Sequence, residues 1–383
     1  MTSPIRRRPP CIAVVATPFG FGPASKAYSI GQVLAQDHGM DVRYYGADSA
    51  LDFFRAQRGL CSEHLDSRTL RENSSVLEAA DAVVNVLAPE LIASPALAAS
   101  TYYVDSLGFM WQRADIPEDS PLQRVRAYFA QDLFGSAANL AGLGLPGVTP
   151  VSGIVAPTAP PPSAGARPAG RMRALVQLGG LSNPAGHDSA HVYLALAERL
   201  LAAVRDDSYD VSVAMNSANG AFSLTAAGPV RHLSRDGFRA ALGVCDVVLS
   251  SPGMTTLIEV SQANLPYVPL PPQNWSQVLI SRHMAARSGH ALWPFLTGPY
   301  ETIDARAREE EKAAAVREVN RRLAADSGYI AHFARLARRA VHDPETPDVG
   351  APFKGAWEVA AAVAADLDHR SDTYELSRKE SER

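Results

Sequence analysis

Short apolar runs rich in β-branched residues recur along this chain, each followed by a helix-patterned stretch; the series stops once at a proline-rich segment and begins again. A continuous apolar run reads as a strand buried on both faces, and strands alternating with helices imply parallel sheets covered by helices. In the first series the strand-like runs are Cys11–Ala16, Asp41–Tyr45, Asp81–Leu87, Thr101–Val104 and a return to strand over Gly147–Val155, while 121–138 reads as helix. The second series runs through Ala174–Leu178, Val211–Ala214, Val230–Leu233, Val247–Ser250 and Tyr267–Leu270. Helices are expected around 237–242, 255–263 and 275–287, then over 303–325, 328–341 and 356–367, with a charged, frayed tail from Arg370. Residues 157–170, Pro-Thr-Ala-Pro-Pro-Pro-Ser-Ala-Gly-Ala-Arg-Pro-Ala-Gly, stiffen the chain and remove backbone donors, as an interdomain linker does. The expectation is an α/β chain of two Rossmann-like domains with parallel sheets facing across a cleft. The domains are 1–156 and 172–345, with the linker at 157–171 and a C-terminal helix and tail, 346–383, packing back toward the first domain. Ligands of such sheets bind at the carboxyl ends of the strands.

Composition narrows the function. With 383 residues, 46% apolar and 20% charged, the chain is not disordered throughout, collagen-like or a disulfide mini-protein. Lys plus Arg is 36 against 40 Asp plus Glu, a net charge of −4, which argues against a nucleic-acid polymer as partner. Cys11, Cys61 and Cys245 are scattered, with neither metal-ligand spacing nor a disulfide framework. The apolar run after Arg6-Arg7-Arg8 is too short for a signal-peptide core, and no stretch is long enough to span a membrane, so a cytoplasmic protein is expected.

The most informative segment is Cys245-Asp-Val-Val-Leu-Ser-Ser-Pro-Gly-Met-Thr-Thr-Leu-Ile-Glu259, continued by Leu265-Pro-Tyr-Val-Pro-Leu-Pro-Pro-Gln-Asn-Trp-Ser-Gln277. A strand ends at Ser250, and the turn Ser251-Pro252-Gly253 feeds a helix starting near Met254. The first N–H groups of a helix have no intrahelical partner, and with the macrodipole they suit a diphosphate. Thr255 and Thr256 add hydroxyls, and Glu259 lies one turn deeper, where a carboxylate can bond two vicinal ribose hydroxyls. A second strand ends at Pro271-Pro272, followed by polar Gln273, Asn274 and Gln277 at the height of a bound sugar. This string resembles the donor-binding region of GT-B-fold glycosyltransferases, with Asn264-Leu-Pro266 where that family has Gly-Leu-Pro. The resemblance implies that Ser251, Gly253, Met254, Thr255, Thr256, Glu259, Gln273, Asn274 and Gln277 bind a nucleotide sugar. It also implies that Gly179, Gly180 and Ser182, in the turn after the first strand of the second domain, lie close to the diphosphate.

The N-terminal turn Gly20-Phe-Gly-Pro-Ala-Ser-Lys26 fails as a dinucleotide fingerprint, since Ser25 stands where the third Gly belongs. In GT-B enzymes the matching loop lines the cleft, which implies Gly22, Ser25 and Lys26 as residues meeting acceptor, phosphate or carboxylate. The loop lacks the family's frequent His. Asp105, after the strand Thr101–Val104, is therefore the candidate general base, with Phe109 and Trp111 placed to stack on a flat acceptor; the alternative is a structural cap with core aromatics. His187 and His191 are spaced i, i+4 without an apparent third ligand, and Asp206-Asp207 and Asp366-Leu-Asp368 read as solvated, so no metal is expected.

The resemblance implies an inverting transferase using a UDP-sugar, small-molecule partners, no stable membrane insertion and no metal or other cofactor; a homodimer stays open. The first loop, Ala16-Thr-Pro-Phe-Gly-Phe-Gly-Pro-Ala-Ser-Lys26, together with chain length, is similar to cytosylglucuronate synthases of nucleoside-antibiotic pathways. That implies UDP-glucuronate as donor and cytosine or 5-hydroxymethylcytosine as acceptor, with Arg282 or Lys26 meeting the sugar carboxylate. The alternatives are a transferase acting on another natural-product or lipid acceptor, a UDP-sugar 2-epimerase, and a non-catalytic auxiliary subunit.

Overall fold

The computed structural model describes residues 8–57, 75–145, 147–156, 171–181, 187–205, 208–215, 224, 230–343, 345–350 and 352–381. Two compact units form: one from Met1–Pro18, Pro23–Ala156 and Ala351–Arg383, the other from Phe19–Gly22 and Pro157–Gly350. The expected linker at 157–170, Ser182, Cys61 and Asp206-Asp207 lie outside the described residues.

In the first unit, strands β1 (Cys11–Ala16), β2 (Asp41–Tyr45), β3 (Ala82–Val86), β4 (Thr101–Asp105), β5 (Ala127–Gln131) and β6 (Val148–Val151) form one sheet in the order β2-β1-β3-β4-β5-β6. Every pairing is parallel. All residues of β1, β3 and β4 are buried, which is why these runs are largely apolar on both faces rather than alternating. The second unit has β7 (Met172–Gln177), β8 (Tyr209–Met215), β9 (Val230–His232), β10 (Val247–Ser250) and β11 (Tyr267–Pro269), again all parallel, in the order β11-β10-β7-β8-β9. Strand order reverses between β1 and β3 in one sheet and between β7 and β10 in the other. These are the places where helices leave on opposite faces and the carboxyl ends open to a ligand.

Two expectations need correction. Residues 121–138 are not one helix: a short 3₁₀ turn at Pro121–Arg124 leads into β5, and a helix starts only at Ser136. Leu122, Val125 and Leu133 carry a helical spacing, but Tyr128 and Ala130 share one face of the sheet and pack with Tyr103 in the core. Burial against a neighbouring strand outweighs the local pattern. The charged tail also continues as helix, Gly355–Ser381. That helix is fastened to the first unit. Asp366 accepts from Arg126 Nη2 (2.5 Å), Arg126 Nε (2.9 Å) and the Tyr102 hydroxyl, so it is not the solvated residue expected. Glu358 accepts from the Ser152 backbone N–H at 2.6 Å and from its hydroxyl at 3.0 Å.

Asn264 explains itself in the structure. It follows the C-cap of helix Met254–Gln262 with φ of 51°. A left-handed residue is needed there to end the helix, a conformation glycine takes freely and asparagine tolerates better than other side chains. Asn-Leu-Pro and Gly-Leu-Pro therefore solve the same backbone problem.

Candidate functional site

The second unit gathers polar groups at the carboxyl ends of β7, β10 and β11. Ser250 pairs in register with Gln177, and its Oγ donates to the Gln177 carbonyl at 2.9 Å, tying the two strand ends together where the strand order reverses. The Tyr267 hydroxyl donates to the Ser250 carbonyl at 2.6 Å from the neighbouring strand. The chain then turns through Ser251 and Pro252, with the Gly253 N–H donating to the Ser251 carbonyl at 2.7 Å, and enters helix Met254–Gln262. The first intrahelical bond runs from Leu257 N to Gly253 O (2.9 Å), so the N–H groups of Met254, Thr255 and Thr256 point out of the helix end. The N-cap residue, Gly253, has no side chain with which to cap that end.

Gly253 has φ of −74°, which any residue can adopt. A Cβ built there would meet nothing closer than Gln277 Nε2, at 3.8 Å. The described residues leave room for a methyl group there, so neither backbone strain nor crowding by them accounts for the glycine. Gly179 is different: a Cβ would fall 2.8 Å from Gln177 Nε2, because the Gln177 side chain folds over the Gly179–Leu181 turn.

The loop after β11 closes the other side. Gln273 Nε2 donates to Ser251 Oγ at 2.7 Å, and the Gln273 N–H donates to Gln277 Oε1 at 2.8 Å, leaving Gln277 Nε2 toward Gly253. Asn320 Nδ2 supports this loop by donating to the Pro272 carbonyl (3.0 Å), and is itself held by the Tyr300 hydroxyl at 2.5 Å. Glu259 is buried on the second turn of helix Met254–Gln262. Buried polar atoms of this unit with no hydrogen-bond partner among the described residues include Gln177 Oε1, Gln273 Oε1 and the Tyr193 hydroxyl. Such atoms are rare in folded proteins and each calls for a physical cause.

Gly179, Gly180, Ser251, Gly253, Met254, Thr255, Thr256, Glu259, Gln273 and Gln277 thus all stand at these carboxyl ends. Two further residues of the sequence reading also serve the fold. Asn274 is the N-cap of helix Trp275–Arg287, its Oδ1 accepting from Gln277 N (3.1 Å) and Ser276 Oγ (2.8 Å). Arg282 lies seven residues beyond Trp275, about 10 Å along the helix, with its guanidinium over the Trp275 ring (5.2 Å) and donating to the Tyr300 carbonyl (3.1 Å). Tyr193, Gln177 and Asn320 were missed. They carry no motif, and only the packing of helices His187–Val204 and Glu309–Ala325 brings Tyr193 and Asn320 in.

In the first unit, Asp105 ends β4 but is fully buried. Its oxygens accept from Leu107 N (2.6 Å), Trp111 Nε1 (2.6 Å) and the Tyr128 hydroxyl (2.5 Å). Burial pushes its pKa up while these donors pull it down. A carboxylate closed off from solvent with donors on both oxygens is a structural anchor, so the expectation of a general base is corrected. Trp111 is consequently held as a donor to Asp105, and Phe109 packs edge-on against Phe134 at 5.6 Å. Ser25 and Lys26 are buried near the start of helix Gly22–Gln36, which follows β1.

No family model matches the chain, and no curated protein matches it by sequence. Solved structures do. CalG4, the calicheamicin glycosyltransferase, is 16% identical over 94% of this chain and 99% of its own, with a TM-score of 0.50. The Staphylococcus aureus MnaA structure with UDP is 13% identical over 94% and 97%, with a TM-score of 0.52. A Listeria monocytogenes protein assigned as UDP-N-acetylglucosamine 2-epimerase is 13% identical over 96% and 98%, with a TM-score of 0.50. At such identities the likeness is one of fold: two parallel-sheet α/β units of the kind that glycosyltransferases use.

Proposed function

We propose that this chain is an inverting glycosyltransferase that binds a UDP-sugar at the carboxyl ends of β7, β10 and β11. The observation that carries the reading is the start of helix Met254–Gln262 at the strand ends, with room for a Cβ beside Gly253 and with Gln177, Tyr193 and Gln273 atoms that have no hydrogen-bond partner among the described residues. Outward N–H groups and a helix dipole stabilise the charge that grows on a departing diphosphate, so the site needs no metal to release UDP. Glu259, one turn deeper, bonds the ribose hydroxyls. Among the described residues no helix is long and apolar enough to cross a membrane.

For the finer assignment we favour UDP-glucuronate as donor and cytosine or 5-hydroxymethylcytosine as acceptor, on the resemblance of the loop Ala16–Lys26. The acceptor is held by the first unit. The proton on the pyrimidine nitrogen leaves to a base other than Asp105. The 2-epimerase reading is supported by the fold shared with the Listeria protein.

Calorimetry with UDP, followed by UDP-release assays with UDP-sugars and a nucleobase panel in excess EDTA, tests the reading. We expect UDP binding, and UDP release only when the right acceptor is present. A UDP-N-acetylhexosamine converted to its epimer without acceptor would establish the alternative, and absence of nucleotide binding would refute both. Turnover lost in EDTA and restored by Mg²⁺ or Mn²⁺ would refute the metal-free mechanism.

A further inference from the structure

The loop between β11 and helix Trp275–Arg287 is gripped at one peptide group, whose C=O belongs to Pro272 and whose N–H belongs to Gln273. The carbonyl accepts from Asn320 Nδ2 at 3.0 Å, and the N–H donates to Gln277 Oε1 at 2.8 Å. The two gripping residues come from different helices, Gln277 from Trp275–Arg287 and Asn320 from Glu309–Ala325, and both side chains are buried.

Hydrogen-bond chemistry then fixes how each amide faces. A carbonyl can only accept, so Asn320 turns its nitrogen to Pro272 and its oxygen to Tyr300, whose hydroxyl donates to it at 2.5 Å. A backbone N–H can only donate, so Gln277 turns its oxygen to Gln273 and its nitrogen away. That nitrogen faces Gly253: a Cβ built on the glycine would lie 3.8 Å from it. Among the described residues Gln277 Nε2 makes no hydrogen bond. Gln277 is thus a buried side chain with one end satisfied by the fold and a donor left over beside the start of helix Met254–Gln262. An amide has nearly the same shape either way round, so the Pro272–Gln273 peptide decides which end faces Gly253. With the peptide released, the Gln277 amide would be free to turn over and present its oxygen there instead.

We propose that Asn320 is a positioning residue of the donor site: by holding the Pro272–Gln273 peptide it keeps the Gln277 nitrogen turned toward Gly253, where that nitrogen donates to an oxygen of the bound diphosphate. This rests on the UDP-sugar reading above and adds to it a residue from outside the motif. A donor whose direction is set before the ligand arrives costs little ordering on binding.

Calorimetry with UDP on full-length wild type, Asn320→Asp, Gln277→Ala and the double variant tests the proposal. Asn320→Asp keeps the size and the oxygen to which Tyr300 donates, but sets an oxygen against the Pro272 carbonyl in place of the N–H. It should weaken UDP binding about three- to tenfold, the worth of one hydrogen bond. Gln277→Ala should lose a similar factor, and the double variant no more than Gln277→Ala, because Asn320 acts through that amide. The side-chain amide resonances of Gln277, in protein carrying isotope-labelled glutamine and assigned by their absence from Gln277→Ala, give a signature that a purely structural asparagine would not move. Saturating UDP should shift them in wild type and shift them less in Asn320→Asp. Wild-type affinity in Asn320→Asp, losses that multiply in the double variant, or Gln277 resonances unmoved in a wild type that binds UDP would overturn the proposal and leave the donor-site reading standing. If Asn320→Asp does not fold, Tyr300→Phe takes its place, since it removes only the hydroxyl that holds the Asn320 amide. It should weaken UDP binding about two- to threefold, and unchanged affinity would overturn the proposal. A wild type that binds no UDP overturns the donor-site reading, and the proposal with it.

Discussion

The carboxyl ends of the two sheets offer the same topological opportunity and use it in opposite ways. In the first unit the polar residue at the end of β4, Asp105, is closed off by three donors from its own fold. In the second unit buried polar atoms of Gln177, Tyr193 and Gln273 have no hydrogen-bond partner among the described residues, and the N-cap of helix Met254–Gln262 is a glycine with no side chain. A polar residue at a strand end is therefore not yet a functional residue. Its hydrogen bonds decide: a satisfied group is holding the protein together, and an unsatisfied one beside open space is waiting for something else.

The largest effect that would sharpen this contrast is on stability. Asp105→Ala strands three donors in the core of the first unit, and should cost about 3 kcal/mol or more. Urea unfolding monitored by tryptophan fluorescence measures it, since Trp111 donates to this carboxylate. An Asp105→Asn protein of wild-type stability and abolished turnover would break the comparison and restore the residue as a base. Next comes Glu259→Ala, expected to weaken UDP binding by about 1.5–3 kcal/mol, the range for hydrogen bonds to a charged group, with the fold intact. Calorimetry reads this directly, and unchanged affinity would remove the ribose contact. Gly253→Ala should be milder. The protein has room for the methyl, so the melting temperature should move little, while UDP affinity falls roughly tenfold, about 1.4 kcal/mol. Tolerance of the methyl by both fold and ligand would mean that the space beside Gly253 is not ligand space.

The smallest expected effect concerns the fastening of helix Gly355–Ser381. The Arg126 guanidinium holds Asp366 down to about 2, below its ordinary carboxylate value, and burial lifts Tyr102 to about 12. A depressed carboxylate stabilises the fold above its unfolded pKa, so this contribution is present from about pH 4 upward. It fades as pH falls toward 2. A raised phenol contributes below about pH 10 and fades as pH rises through 12. Asp366→Asn should flatten the acid limb of a melting-temperature profile by a modest amount, since partly exposed pairs contribute little. An unchanged acid limb would show that the Asp366 contacts add nothing measurable to the fastening of the helix.

Much of this architecture was legible in the residues. The apolar runs at Cys11–Ala16 and Val247–Ser250 can only be strands buried on both faces, and Ser-Pro-Gly before Met-Thr-Thr announces a turn into a helix with open N–H groups. These are local properties: pattern, backbone freedom and helix geometry act within a few residues of one another. β5 escaped because its neighbours Leu122, Val125 and Leu133 mimic a helix, and only the sheet beside it settles the matter. Asp105 was misread for a related reason. Whether a carboxylate is available depends on what surrounds it, and Tyr128 arrives from the neighbouring strand β5. Sequence by itself determined most of the strands, the turn and the residue types at the strand ends, because short-range sterics and hydrophobic periodicity act locally. Tertiary structure alone decided which of those side chains are occupied and which remain open, because hydrogen-bond partners and burial come from segments far away along the chain.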